Sequence, residues 1–123
     1  MSITTPNRGW IGVDLDGTLA QYDGWRGPEH IGAPVPKMLL RVRRWLVAGR
    51  DVRIFTARAG SQCTKEELAK VQAAIDAWCL EHFGQKLPVT ATKDFAMVEL
   101  WDDRCVQVVP NTGERVDRVD DLT

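Results

Sequence analysis

The sequence predicts an α/β protein built on a central, mostly parallel sheet. Three observations carry that expectation. Short apolar runs alternate with longer segments of helical periodicity. The first run, Trp10 to Leu15, is apolar on nearly consecutive positions, as a strand covered on both faces requires. Turn and stop residues fall between the segments, so that strand, helix, strand, helix, strand follow in order and favour right-handed crossovers.

Each element has its own warrant. The first strand is followed from Leu19 to Pro36 by a Gly- and Pro-rich loop carrying Trp25, Arg26 and His30. A first helix comes next, because Met38, Leu39, Val42, Trp45 and Leu46 recur at helical spacing between Pro36 and the stop at Gly49. Val52 to Phe55 is a short apolar strand ending in Thr56. Thr64 and Glu67 form a capping-box pair opening a second helix, whose Leu68, Val71, Ile75, Trp78 and Cys79 line one face before Gly84 ends it. Leu87 to Thr92 is a third strand. Val98 to Trp101 and Cys105 to Val109 are two more, on either side of Asp102-Asp103-Arg104, and the tail 111–123 is polar and expected to be loosely held.

Composition sets the outer bounds. A chain of 123 residues fits one domain, 1–123, with its core over about 10–109. A net charge of −1 gives no bulk attraction to nucleic acid or to a membrane surface. No apolar run reaches the length of a membrane span. Met1 through Arg8 lacks the basic start and apolar core of a signal peptide, and Cys63, Cys79 and Cys105 have neither the even number of a disulfide framework nor metal-binding spacing. These features imply a cytoplasmic protein with buried thiols, and nothing in them indicates self-association.

The most informative segment is Val13-Asp14-Leu15-Asp16-Gly17-Thr18, where an apolar strand ends in two carboxylates. Two readings compete there. Asp16-Gly17 is a strong signal for a two-residue hairpin turn, with Thr18-Leu19-Ala20 starting a return strand. Alternatively, paired acids at the carboxyl end of a strand mark a reactive site whose repulsion is relieved by a cation, a shared proton or a phosphoryl group. The alternating α/β order weakens the hairpin reading, since functional crevices in such sheets lie outside the carboxyl ends of the strands. Applied here, that rule gathers Asp14, Asp16, Thr56, Lys93, Asp102 and Asp103. The acids suit a hard divalent cation such as Mg²⁺, and the lysine and hydroxyl suit a phosphate.

VDLDGTLA at 13–20, IFTAR at 54–58, Lys93, and WDDR at 101–104 resemble motifs one to four of the haloacid dehalogenase (HAD) superfamily, in the right order. The resemblance covers about residues 10–109 and implies a HAD-like Rossmannoid three-layer fold of strand order 3-2-1-4-5. Neither place where such proteins insert a cap domain has room for one here. The implied activity is that of a Mg²⁺-dependent phosphatase working through an aspartyl-phosphate. Asp14 would be the nucleophile and Asp16 the acid/base. Thr56, Lys93 and backbone amides near Gly17 would hold the phosphoryl group. Mg²⁺ would be held by Asp14, the Asp16 carbonyl, Asp102 as inner ligand, and Asp103 directly or through water.

Two adjacent acids must point in different directions, so Asp103 is open to a second reading as a solvated or salt-bridged acid, with Arg104 pairing whichever acid lies outside. Arg58 and Trp25, the latter near the tip of the first loop, are further substrate-binding candidates. An open site favours a large or projecting phosphoester, with nucleic acid entering only as a substrate end. Phosphotransferase chemistry and a catalytically idle phosphate-binding or regulatory module are the alternatives. A response-regulator receiver is disfavoured because its paired acids end the first strand and its acceptor aspartate a later one. Lys37, Arg41 and Arg44 read as a solvated helix face, His30 as a surface residue and His82 as structural. Trp45 and Trp78 sit at core spacing.

Overall fold

The apolar residues of the central strand decide the architecture. In the computed structural model, which describes residues 9–117, the chain runs β1 (Trp10–Asp14), α1 (Pro36–Val47), β2 (Asp51–Phe55), α2 (Lys65–Phe83), β3 (Val89–Thr90) and β4 (Met97–Trp101). A 3₁₀ turn, Ala57–Ala59, follows β2. The strands form one parallel sheet of order β3-β2-β1-β4. β1 is therefore flanked by β2 and β4, which leaves no place for a return strand and removes the hairpin reading of Asp16-Gly17.

Alternation along the strands sorts their side chains by face. Ile11 and Val13 of β1, with Val52 and Ile54 of β2, are buried in one core with Met38 and Val42 of α1 and Val71, Ile75, Trp78 and Cys79 of α2. Both helices thus cover the same face, as two right-handed crossovers moving in one direction across the sheet demand. The expected three layers reduce to two among the described residues. The other face of the sheet is closed locally: the Trp10 indole lies under Arg53, 4.7 Å from the ring centroid, and donates to Asp94 at 2.8 Å.

Local chemistry matches the expected ends of α2. The Thr64 hydroxyl accepts from the Glu67 amide, the Glu67 carboxylate accepts from the Thr64 amide, and Gly84 ends the helix at a φ of 73°, where a side chain would be strained. Arg41 is not simply solvated; its guanidinium sits 4.7 Å over the Trp101 ring. Trp78 is core, Trp45 packs on the core's margin, and the His82 ring packs at a tilt against Trp78, 4.5 Å between centroids.

Three expectations are corrected. Among the described residues the sheet has four strands, not five, because 105–109 folds back on the residues after it. Val108 bridges Arg115, and the pairs Val109 amide to Glu114 carbonyl and Val116 amide to Gln107 carbonyl close a hairpin around Pro110-Asn111-Thr112-Gly113. The tail through residue 117 is therefore paired, whereas 118–123 and the Met1–Arg8 segment lie outside the described residues. Of the three thiols, Cys79 is buried and its pKa is pushed up to about 11 chiefly by burial, while Cys105 is exposed and Cys63 half-buried. No helix among the described residues is long and apolar enough to cross a membrane.

Removing a buried branched side chain from the shared core leaves a cavity that such a small protein cannot collapse. Ile75→Ala is expected to cost about 3 kcal/mol, and Thr64→Ala about 1 kcal/mol through the lost cap. Urea titration followed by circular dichroism measures both; a Thr64→Ala loss equal to or larger than that of Ile75→Ala contradicts this ranking.

Candidate active site

Parallel pairing brings the carboxyl ends of β1, β2 and β4 to one edge of the sheet. Asp14 is the last residue of β1 and pairs in register with Phe55, the last of β2, so Thr56 follows beside it. Val13 pairs with Trp101, which puts Asp102 and Asp103 at the same edge. Asp14, Asp16, Trp25, Thr56, Arg58, Asp102 and Asp103 line one cavity of about 530 Å³.

The acids do not all behave alike. One carboxylate oxygen from each of Asp14, Asp102 and Asp103 lies within 4.8 Å of the others. The neighbouring acids thus converge instead of diverging, because β4 ends at Trp101 and the chain turns through both. The Arg104 guanidinium forms an ion pair with neither acid among the described residues, and its backbone amide donates to an Asp102 carboxylate oxygen at 2.8 Å. Burial, a hydrogen bond with Asp103 and the charges of Asp102 and Asp103 raise the Asp14 pKa to about 7.

Thr18, which sequence reasoning passed over, ties this cluster together. Its hydroxyl lies 3.2 Å from an Asp14 oxygen and 3.2 Å from an Asp103 oxygen, and accepts from the Asp103 amide at 3.0 Å. Its single proton can be given to only one of the two carboxylates at a time. Gly17 makes this approach feasible. Its φ is 91°, and a Cβ there would lie 2.6 Å from an Asp103 oxygen. Its amide donates to the Ala20 carbonyl at 2.8 Å and is committed within the loop.

Asp16 points elsewhere. Arg58, buried to 8% exposure, donates to both of its oxygens, Nε at 2.7 Å and Nη2 at 2.8 Å. The same guanidinium reaches the His30 carbonyl at 2.8 Å and lies 4.9 Å from the Trp25 ring centroid. It therefore clasps the loop after β1 onto Asp16. The limbs of that loop are joined at its base, Gln21 amide to Ala33 carbonyl and Val35 amide to Leu19 carbonyl, both 2.8 Å. Thr56 is buried; its hydroxyl accepts from the Arg58 amide at 3.2 Å and keeps its own proton to donate.

Lys93 is not brought into this set. It is exposed, outside the cavity lining, because β4 runs parallel to β3 and must begin at the opposite edge of the sheet. The connection from 91 to 96 makes that return, and Asp94 is already bonded to Trp10, the first residue of β1. Arg104 is the cation that lines the cavity without an ion pair among the described residues. No known family profile, curated protein or solved structure matches this chain.

The raised pKa of Asp14 has a defined sign in stability. Between about pH 4 and pH 7 the unfolded chain has lost this proton while the folded chain retains it, so the folded state binds more protons and loses stability as pH rises. In chelator-treated protein, Asp14→Asn removes that loss. The variant's stability relative to the parent is expected to climb from pH 4 to pH 8 in thermal melts; a flat difference refutes the assignment.

Proposed function

We propose that the chain is a Mg²⁺-dependent phosphomonoesterase of HAD type that turns over through an aspartyl-phosphate on Asp14. The observation that carries this reading is the meeting of Asp14 with Asp102 and Asp103 at the carboxyl edge of a parallel sheet, beside Asp16 and Thr56 in one cavity. The motif order DxDGT, then a strand-ending threonine, then the paired acids supports the same assignment.

The donor set fits the cation. Three carboxylates with no nitrogen or sulfur among them favour a hard ion, and their mutual repulsion is what such an ion relieves. Asp14, Asp102 and Asp103 would hold it, and when bound it offsets their charge and polarises a phosphoryl oxygen.

The protein's own groups divide the remaining work. An Asp14 oxygen attacks phosphorus as the ester P–O bond breaks and Asp16 hands a proton to the departing oxygen, which yields the acyl phosphate and the free alcohol or phenol. Water then attacks that phosphorus, Asp16 takes its proton, and Asp14 leaves as carboxylate. Both Asp16 oxygens are occupied by Arg58, so the arginine has to move off before Asp16 can hand a proton to a leaving group. The Thr56 hydroxyl donates to a phosphoryl oxygen, and Arg104 takes the role of phosphate-facing cation in place of Lys93.

Purified protein is expected to release phosphate from p-nitrophenyl phosphate with Mg²⁺ and to stop when the metal is chelated. Asp14→Asn should lower kcat by about a thousandfold or more, as losing a nucleophile does. Arg104→Ala should raise KM by about tenfold, the worth of one charge-assisted contact. No release from a broad panel of phosphoesters, or full activity in Asp14→Asn, would falsify the mechanism.

A further inference from the structure

The cavity has a second chemistry that the phosphoryl site does not use. Beside the acids it is walled by Tyr22, Trp25, Pro28, Phe55 and Val71, which come from the loop after β1, the end of β2 and α2. Trp25 is 58% exposed and Tyr22 45% exposed. Two large aromatic side chains left open next to a polar site are not explained by packing, because each would gain by burial.

Trp25 is nevertheless held. The Arg58 guanidinium packs 4.9 Å from its ring centroid, and that guanidinium is fixed in turn by Asp16 and the His30 carbonyl. An Asp23–Arg26 ion pair of 2.7 Å brackets the ring within the loop tip. A planar partner stacking on Trp25 thus meets a ring already ordered, and pays little further ordering entropy.

Resting on the phosphomonoesterase reading, we infer that the group esterified to the phosphate is a small, flat aromatic ring seated against Trp25 and Tyr22. A cavity of about 530 Å³ is the size of a small-molecule site, and its walls divide between a charged cluster at the strand ends and an apolar side formed by Tyr22, Trp25, Pro28, Phe55 and Val71. It has room for one ring system and a phosphate, which places the recognised part of the substrate within a single ring. The Arg58 clasp on Asp16 points the same way. With both Asp16 oxygens occupied, a phenol-like leaving group that departs without full protonation is better served than an alkoxide.

The test reads binding separately from turnover. Non-hydrolysable methyl-, hexyl-, phenyl- and nucleoside phosphonates are titrated into the full-length protein with Mg²⁺ by calorimetry. The phenyl compound is expected to bind about tenfold tighter than methyl and several-fold tighter than hexyl, which matches its apolar area without its planarity. Trp25→Ala should erase that margin and Trp25→Phe should keep most of it. The tighter of the phenyl and nucleoside compounds identifies an aryl ester or a nucleobase as the source of the ring. Hexyl binding as tightly as phenyl, no binding by any of the four, or a margin intact in Trp25→Ala overturns the inference. If the ring preference holds while no phosphoester is hydrolysed, the ring subsite stands and the phosphatase reading falls.

Discussion

The carboxylates of Asp14, Asp102 and Asp103 repel one another, and the parallel register of β1 and β4 is what forces them together. Val13 beside Trp101 leaves the next residues of both strands no alternative but the same edge. The fold therefore builds in an unfavourable interaction, and the Asp14 carboxyl is pushed up first by its burial and then by Asp103 and Asp102 beside it. A small two-layer domain can hold such a cluster because Ile11, Val13 and Ile54 are fully buried just beneath it. Their packing fixes where the strands end, and the strand ends fix where the charges stand.

Arg58 balances that arrangement on its other side. The charge of Asp16 is absorbed by a bidentate pair, so it does not add to the cluster around Asp14. The two aspartates of the DxDGT segment, two positions apart in sequence, are in this way given separate electrostatic surroundings. One faces acids and the other an arginine. Because the same arginine also carries the loop after β1 through His30 and Trp25, any movement of that loop is felt at Asp16 before it is felt at Asp14.

Much of this was legible in the sequence because it depends on local chemistry. The buried strand 10–14, the Thr64–Glu67 box and the stop at Gly84 each follow from residues a few positions apart, and the rule about carboxyl ends then gathers Asp14, Asp16, Thr56, Asp102 and Asp103. Failures arose where a long-range path intervened. Lys93 lies next to a strand end in sequence, but the return to the start of β4 carries it off, and only the Asp94 to Trp10 bond reveals that path. The strand predicted at 105–109 has the right apolar pattern, yet the Pro-Asn-Thr-Gly turn after it offers a nearer partner than the sheet edge. Thr18 could have been found. A hydroxyl at the fourth position after an acid, across a turn closed by glycine, is well placed to reach back to it.

The displacement of Lys93 bears on how the site handles charge. Among the described residues the cavity is lined by five acids, Asp14, Asp16, Glu67, Asp102 and Asp103, and by one cation outside an ion pair, Arg104, so on the proposed phosphatase reading it has no excess of positive charge with which to hold a phosphate dianion. On that proposal, attraction for the substrate would come from a divalent ion, from neutral donors such as Thr56, and from contacts with the non-phosphoryl part of the ligand. The last of these would matter most at a site that, among the described residues, has no covering domain with which to exclude water. Under the ring subsite inferred above, a ring packed against Trp25 would cover the mouth of the cavity with the substrate itself, so that desolvation and recognition would become one event.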